Sequence, residues 1–204
     1  MHKELIIEAG NKNNPAKALI MLHGRGANAE DILSLAAYLT VKDYALYAPQ
    51  ATHNTWYPYS FMIEPAENEP WLSSALELVG KTVKKISGRG IYRDHIYFLG
   101  FSQGACLTLE YVARHAEKYG GIVAFTGGLI GDKIYAENYK GDFADTPVFI
   151  GTSEPDFHVP VGRVNETTDV LKSMGASVTE KIYENMGHTI IQDEIDMANN
   201  IIFI

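Results

Sequence analysis

The sequence predicts an α/β fold: a mainly parallel central sheet flanked by helices, in a single domain over residues 1–204. Short apolar runs alternate along the chain with longer segments in which apolar residues recur at three-to-four spacing, and this alternation is typical of βα units. The 204 residues are 46% hydrophobic and 21% charged, which is the composition of an ordinary globular domain. No insertion between the predicted strands is long enough to form a large cap domain.

The strands are predicted from apolar runs bounded by polar or glycine-containing segments. In chain order they cover residues 5–8, as an edge strand, and then 18–22, 45–47, 96–101, 121–125, 148–150 and 178–183. The helices are predicted over residues 29–40, 70–87, 103–118, 161–174 and 192–204. In the second helix, one apolar stripe faces the core and is formed by Leu72, Leu76, Val79, Val83 and Ile86.

Charge and cysteine content exclude several classes of function. The net charge is −8 and no cluster of Lys or Arg stands out, so we expect no nucleic-acid partner. The single cysteine, Cys106, forms no disulfide framework, and no His/Cys spacing indicates a metal or a cofactor.

The apolar stretch within residues 1–15 is too short for a signal peptide, and no run approaches the roughly 20 apolar residues of a membrane span. We therefore expect a cytoplasmic monomer or homodimer without stable membrane insertion.

One segment, residues 51–69, departs from the alternating pattern. It reads ATHNTWYPYSFMIEPAENE and is long for a connection in a compact domain. Two interpretations stay open: an aromatic plug that covers the core, or a loop that lines a substrate pocket.

The stretch GFSQG, residues 100–104, has the G-x-S-x-G pattern of a nucleophile elbow. In that turn a serine lies between a strand and a helix, and glycines flank it because side chains there would collide with neighbouring backbone. Here the predicted strand 96–101 precedes Ser102 and a predicted helix begins at Gln103. This context favours Ser102 as a nucleophile.

A serine hydroxyl needs a histidine to accept its proton and a carboxylate to orient that histidine. Enzymes with this elbow supply the partners in the chain order Ser, then Asp or Glu, then His. His188 follows the last predicted strand and is favoured as the base over His158. The acid should follow the strand 148–150, where both Glu154 and Asp156 are available.

An acyl-transfer site also needs donors for the oxyanion. The residue after the nucleophile, Gln103, would supply one backbone N–H. The glycine-rich turn His23-Gly24-Arg25-Gly26 ends an earlier predicted strand and opens a helix, so the Arg25 amide is the natural second donor.

The motifs LHGRGANAED, APQ, GFSQGA, EPDFHVP and YENMGHTI together resemble the phospholipase/carboxylesterase branch of the α/β-hydrolases, which also includes acyl-protein thioesterases. The likeness runs from about Ala18 to the last residue. It implies an α/β-hydrolase fold and a carboxylesterase-type serine hydrolase with a small-molecule ester substrate and no cofactor. It also implies that Ser102 is the nucleophile, His188 the general base and acid, and Asp156 the orienting carboxylate. Arg25 and Gln103 would then be the oxyanion donors.

The substrate pocket is expected to be lined by His23, Trp56, Tyr57, Tyr59 and His158. Many relatives carry leucine at the position of Arg25, so a more polar entrance and a preference for short acyl chains are expected. Two alternatives remain. One is a lactone hydrolase similar to dienelactone hydrolases, which would use a cysteine nucleophile, and the other is a catalytically silent ligand-binding protein.

Overall fold

The computed structural model describes all residues 1–204 and is organised around one seven-stranded sheet. The strands are β1 (Ile6–Gly10), β2 (Lys17–Leu22), β3 (Tyr44–Pro49), β4 (Ile96–Phe101), β5 (Gly121–Phe125), β6 (Pro147–Glu154) and β7 (Ser177–Glu184). Their order across the sheet is β1-β3-β2-β4-β5-β6-β7. Strand β1 pairs antiparallel with β3 at one edge, and every other pair is parallel. The predicted mainly parallel sheet with an edge strand near the start is therefore present.

Five α-helices cover the two faces of the sheet. They are α1 (Ala29–Ser34), α2 (Trp71–Ser87), α3 (Gln103–Arg114), α4 (Val161–Ser173) and α5 (Gln192–Ile201). Helices α2, α3 and α4 pack on one face in a core of 37 buried residues, whereas α1 and α5 pack on the other face in a core of 18. No helix has both the length and the apolar character needed to cross a bilayer.

Alternate residues of one central strand supply both cores. Leu19 and Met21 of β2 belong to the smaller core, and Ile20 and Leu22 belong to the larger one. Since a central parallel strand is covered on both faces, its sequence is continuously apolar rather than alternating. This is why apolar runs marked the strands, and why they gave no information about which face each residue occupies.

Several predicted boundaries were wrong at the ends of elements. The helix predicted over 29–40 ends at Ser34 and continues only as a 3-10 turn, Leu35–Tyr38. The helix predicted to reach residue 118 ends at Arg114, because His115 leaves helical geometry at φ −131° and ψ 45°. The strand predicted over 148–150 extends to Glu154, which places that residue at the end of β6 rather than in the loop.

The strand order brings the turns after β2, β4, β6 and β7 to one edge of the sheet. Strands β2 and β4 are neighbours, although β3 separates them in sequence and lies on the far side of β2. The direction of winding therefore reverses between β2 and β4, and ligands of open α/β sheets bind at such a point, outside the carboxyl ends of the strands. The turns after β2 and β4 flank this point, and those after β6 and β7 open at the same edge.

The long segment 51–69 contains two 3-10 turns, Thr52–Asn54 and Pro65–Asn68, and otherwise irregular backbone. Trp56, Tyr57 and Phe61 are buried in the larger core, whereas Tyr59 is 58% exposed. The segment thus covers the core with part of its aromatic residues and leaves the rest at the surface. No large cap domain stands over the sheet, as predicted.

Candidate active site

Ser102 lies in a sharp turn between β4 and α3. Its backbone has φ 53° and ψ −118°, a conformation that non-glycine residues rarely adopt, and its N–H donates to the Phe125 carbonyl at 2.9 Å. The two flanking glycines are required by close approach: a Cβ on Gly104 would collide with the Leu22 carbonyl oxygen, and one on Gly100 with the Gly104 carbonyl. The turn therefore has the strained geometry of a nucleophile elbow.

Three side chains from three different turns form a continuous hydrogen-bonded chain. Ser102 Oγ lies 2.7 Å from His188 Nε2, and His188 Nδ1 lies 2.8 Å from Asp156 Oδ2. Phe101 packs against the imidazole, with ring centroids 5.4 Å apart. These distances and this order are those of a nucleophile, base and orienting acid.

The carboxyl group of Asp156 is held from two sides. Its side chain is fully buried, and its second oxygen, Oδ1, accepts hydrogen bonds from the amides of His158 and Val159 at 2.7 and 2.9 Å. Burial alone would raise the pKa of Asp156, but the hydrogen bonds from His188 and the two amides outweigh it and lower that pKa. The carboxyl is therefore ionised and fixed, whereas the exposed Glu154 does not contact His188.

The loops that carry the acid and the histidine are tied to each other by Ser153. Its buried hydroxyl accepts a hydrogen bond from the Gly187 amide at 2.9 Å and donates to the Pro155 carbonyl at 3.3 Å. Gly187 immediately precedes His188, so one side chain at the end of β6 sets the spacing of both loops. The sequence analysis did not identify this residue.

Two backbone amides beside Ser102 have no acceptor within the protein. They belong to Arg25, in the turn after β2, and Gln103, the first residue of α3. The next amide along the β2 turn, that of Gly26, donates to the Asn54 carbonyl at 2.7 Å and so fixes the turn. Free N–H groups on fixed turns are what an oxyanion hole needs.

The side chain of Gln103 has a separate structural role. Its Oε1 accepts from the Trp56 amide at 2.9 Å and its Nε2 donates to the Tyr57 carbonyl at 2.8 Å, which fastens the segment 51–69 to the elbow. The Arg25 guanidinium holds the same segment from outside, donating to the carbonyls of Pro58 and Tyr59 at 2.8 and 2.6 Å.

Two predicted pocket residues do not line the pocket. His23 and Trp56 are fully buried, with ring centroids 4.9 Å apart, and the Trp56 indole donates to the His23 carbonyl at 2.8 Å. His23 bonds through its ring to the Gly24 carbonyl and the Ala51 amide, and burial lowers its pKa. The expectation for both residues was wrong: instead of facing a substrate, they hold the segment 51–69 against the turn after β2.

The cavity at Ser102 has a volume of about 420 Å³. Besides Ser102, Gln103 and His188, it is lined by the predicted Arg25, Tyr57, Tyr59 and His158 and by five residues that sequence reasoning missed: Pro58, Ser60, Phe61, Cys106 and Val159. Cys106 could have been found, since it lies one helical turn beyond Ser102. Pro58, Ser60 and Phe61 could not, because their positions depend on how the segment 51–69 folds back, and Val159 depends on the path of the loop between β6 and α4. Arg25 is the single lining residue with a permanent charge.

No group of three or more His, Cys, Asp or Glu side chains in the chain is arranged to hold a metal ion. The groups that the structure gathers at the site are a serine hydroxyl, an imidazole, a carboxylate and free backbone amides. A group of this kind can carry out nucleophilic attack on an acyl carbonyl.

The doubly wound sheet with a serine elbow after β4 and a histidine after β7 defines the chain as an α/β-hydrolase. The sequence model of the phospholipase/carboxylesterase family matches residues 2–204, and the chain belongs to that family of esterases and thioesterases. This confirms the fold class and the family that the motifs predicted.

Individual relatives agree with this assignment. The crystal structure of a phospholipase/carboxylesterase from Dyadobacter fermentans has 54% sequence identity and a TM-score of 0.98, covering 100% of this chain and 98% of that one. Acyl-protein thioesterase 1 of Saccharomyces cerevisiae is 28% identical over 208 residues, 91% of each protein. The Bacillus cereus carboxylesterase shares the fold, with a TM-score of 0.76 at 20% identity over 96% of this chain and 91% of that one.

Proposed function

We propose that this protein is a serine carboxylesterase that cleaves carboxylic esters through an acyl-enzyme intermediate. The observation that carries the proposal is the unbroken chain from Ser102 Oγ through His188 to the buried Asp156, with contacts of 2.7 and 2.8 Å. The two free amides beside Ser102 support it, because unpaired N–H groups next to a nucleophile can bind an oxyanion.

In the proposed reaction, Ser102 Oγ attacks the ester carbonyl while His188 Nε2 takes the hydroxyl proton. The carbonyl oxygen becomes an oxyanion that the Arg25 and Gln103 amides bind, each donor contributing about 3 kcal/mol to the transition state. His188 then returns the proton to the leaving alcohol or thiol, which leaves an acylated Ser102. Water, deprotonated by His188, attacks the acyl-enzyme and releases the acid, and Asp156 stabilises the imidazolium in both steps.

The proposed substrates carry short acyl groups. The Arg25 guanidinium holds the Pro58-Tyr59 backbone against the mouth of the cavity, and the cavity ends inside at residues that are almost completely buried. Because these two hydrogen bonds hold the Pro58-Tyr59 backbone in place, the cavity does not open there into a long apolar channel. The family relationship to acyl-protein thioesterases makes a short acyl thioester a substrate to test alongside oxygen esters.

A panel of p-nitrophenyl esters from two to twelve carbons, with an acyl thioester and a lysophospholipid included, tests the proposal. We expect kcat/KM to be higher for the four-carbon than for the twelve-carbon ester, measured below micelle formation. A higher kcat/KM for the twelve-carbon ester would contradict the short-acyl assignment, and no turnover of any member would contradict the esterase itself.

The lactone-hydrolase alternative would use a cysteine at the elbow, and it is not favoured because the one cysteine of the chain, Cys106, lies past the elbow. The thiol is 1% exposed, one turn beyond the elbow, and burial raises its pKa to about 12, so almost no thiolate is present at neutral pH. The silent-protein alternative would leave a complete hydrogen-bonded triad unexplained. The location in the cytoplasm and the monomer or homodimer state stay predictions.

A further inference from the structure

The permanent charge that faces the active-site cavity is positive. Arg25 lines the cavity and is exposed at its open side, and none of the other lining residues is Asp, Glu, Lys or Arg. Asp156 does not line the cavity, because its buried side chain faces His188 and two backbone amides. The chain as a whole has 25 acidic and 17 basic side chains, so a cavity with a positive charge alone differs from the average of the molecule.

The Arg25 guanidinium has no acidic partner, which sets it apart from the rest of its kind in this chain. Its terminal nitrogens donate to the carbonyls of Pro58 and Tyr59 at 2.8 and 2.6 Å, and these acceptors are uncharged. The other four arginines each form an ion pair with a glutamate; they are Arg89, Arg93, Arg114 and Arg163. The charge at the cavity is therefore the one arginine charge that the protein itself does not neutralise.

The two hydrogen bonds to carbonyls hold this charge in place. A guanidinium has more N–H donors than these two bonds use, so donors remain for a ligand. A group that is already held loses less conformational freedom when a ligand binds. The charge also acts inside the cavity: burial raises the pKa of the Tyr57 hydroxyl, and the Arg25 charge opposes that rise.

The position of the guanidinium relates it to the reacting ester. The backbone amide of Arg25 is one of the two proposed oxyanion donors, so the side chain of the same residue begins beside the ester carbonyl. A negative group of the substrate that contacts the guanidinium would thus lie within one side-chain length of that carbonyl. A carboxylate, with one negative charge and two acceptor oxygens, fits a single guanidinium, whereas a phosphate monoester brings about −1.5 to −2 charges.

We propose that the substrate carries a carboxylate close to its ester bond and that the Arg25 guanidinium binds this carboxylate. The carboxylate has two possible sources: the acyl part, in a half-ester of a short dicarboxylic acid, or the alcohol part, in an ester of a short hydroxy acid. This inference rests on the proposed esterase function and names the substrate class of that site. Arg25 is then a residue that determines specificity through its charge.

The test uses two pairs of esters in which a carboxylate is replaced by an uncharged carboxamide of nearly the same shape. Monoethyl succinate against ethyl succinamate places the group on the acyl part, and acetoxyacetate against acetoxyacetamide places it on the alcohol part. Acid release is followed by pH-stat titration, and each kcat/KM is divided by the rate constant for hydroxide-catalysed hydrolysis of the same ester. We expect the carboxylate ester to be favoured about tenfold in at least one pair, as for one hydrogen-bonded charge pair.

Two substitutions separate the charge of Arg25 from its attachment to the segment 51–69. Arg25→Gln removes the charge and should bring the ratio close to one, whereas Arg25→Lys keeps the charge and should give a ratio between those of Arg25→Gln and the wild type. Both esters of a pair are hydrolysed by the same sample, so the ratio does not depend on the fraction of active protein. A purely structural role would slow both esters equally and leave the ratio unchanged.

Lys42→Gln is the matched control for the loss of one positive charge. Lys42 is exposed, has no hydrogen bond or ion pair through its side chain, and precedes β3 at the amino end of the parallel strands, away from the site. Its ratio should equal that of the wild type. A salt series adds a second measurement: the wild-type ratio should fall between about 0.01 and about 1 M NaCl, where the screening length drops from roughly 30 to roughly 3 Å.

Four results would overturn the inference: a wild-type ratio at or below one in both pairs at low salt, a ratio that Arg25→Gln does not lower, a ratio of Arg25→Lys no higher than that of Arg25→Gln, or an equal fall in Lys42→Gln. If Arg25→Gln hydrolyses neither ester, the salt series decides, and a wild-type ratio independent of NaCl overturns the inference. Equal normalised rates within both pairs contradict only this inference, whereas the absence of turnover of these esters and of the p-nitrophenyl panel contradicts the proposed esterase.

Discussion

At the scale of single residues, Asp156 and Glu154 show how backbone donors select one carboxylate over another two positions away. Asp156 lies past the end of β6, where the His158 and Val159 amides and His188 converge on it. Glu154 still belongs to the strand and is exposed. The geometry therefore supports the proposed orienting role of Asp156, and Glu154 is a natural control.

We expect Asp156→Asn to lower kcat by about four orders of magnitude, because an amide cannot hold the imidazole in the required tautomer or stabilise its charged form. Glu154→Gln should cost less than about tenfold, which corresponds to roughly 1.4 kcal/mol. Steady-state hydrolysis of a four-carbon ester by both variants measures this, and the reverse order of the two effects would make Glu154 the acid.

Glu194 is a residue whose charge the fold disfavours. It is fully buried in the first turn of α5, close behind Gly151, and one carboxyl oxygen has no partner while the other accepts from the Ile191 amide at 3.1 Å. Burial, with the neighbouring Asp193 charge, raises the pKa of Glu194 from its ordinary 4.5 to about 7. The protonated form is therefore the one that the folded state prefers.

This raised pKa predicts a pH-dependent loss of stability. The folded state binds the Glu194 proton more tightly than the unfolded state does, so this proton contributes fully to the free energy of unfolding below pH 4.5. The contribution, up to about 3 kcal/mol, is lost as pH rises through 7. Glu194→Gln keeps the acceptor for Ile191 and should be more stable than the wild type at pH 8 but not at pH 5. Urea unfolding at both pH values measures the difference.

The exposed Glu137 carboxylate has no hydrogen bond or ion pair, so Glu137→Gln is the matched control. It should leave the free energy of unfolding unchanged at both pH 5 and pH 8. A difference between Glu194→Gln and wild type that is the same at pH 5 and pH 8 would show that the Glu194 carboxyl titrates normally.

At the scale of elements, the junction of β4 and α3 depends on close backbone contact with β2. Gly104 packs its α-carbon against the Leu22 carbonyl, so the helix can start beside the neighbouring strand. The strain at Ser102, φ 53°, persists because this junction is held by the Phe125 carbonyl and by the packing of α3.

Gly104→Ala should therefore destabilise the protein by several degrees in melting temperature and abolish most esterase activity, because the added methyl pushes α3 away from β2. Gly162→Ala is the control at a helical glycine where a methyl group meets nothing within 4 Å, and it should melt at the same or a higher temperature. Differential scanning calorimetry compares the two, and equal melting temperatures would contradict the packing account.

The elements also show which features the sequence could predict. All seven strands and five helices were located, since apolar runs and three-to-four spacing follow directly from burial on a sheet. The end of α3 at Arg114 was missed, because residues up to 118 continue the helical pattern while tertiary contacts end the helix. The path of residues 51–69 was also missed, since Gln103 and Arg25, which hold it, are distant in sequence.

The same distinction applies to the site. Chain order and local motifs predicted Ser102, His188 and Asp156, and the structure places these three side chains in one hydrogen-bonded chain, while their catalytic roles stay predictions. His23 and Trp56 were misplaced, and Ser153 was overlooked, because packing decides which side of a turn faces the cavity. Local patterns therefore predicted three side chains that the fold brings together, and the tertiary structure decided which residues line the pocket.

At the scale of the whole molecule, the fold itself brings the site together. The reversal of winding between β2 and β4 places the turn that carries Arg25 beside the elbow, and the parallel strands β6 and β7 deliver Asp156 and His188 to the same edge. With no large cap above it, the cavity opens directly to solvent. That the chain forms one domain over residues 1–204 stays a prediction.

The central claim is that Ser102 is the nucleophile, and covalent labelling by an active-site-directed fluorophosphonate tests it most directly. Intact-mass and peptide analysis should find one adduct per chain, on Ser102, with loss of esterase activity in proportion to labelling. Ser102→Ala should take up no label and hydrolyse no ester, while it melts at a temperature close to that of the wild type. An adduct on another residue, or near-normal turnover by Ser102→Ala, would contradict the account.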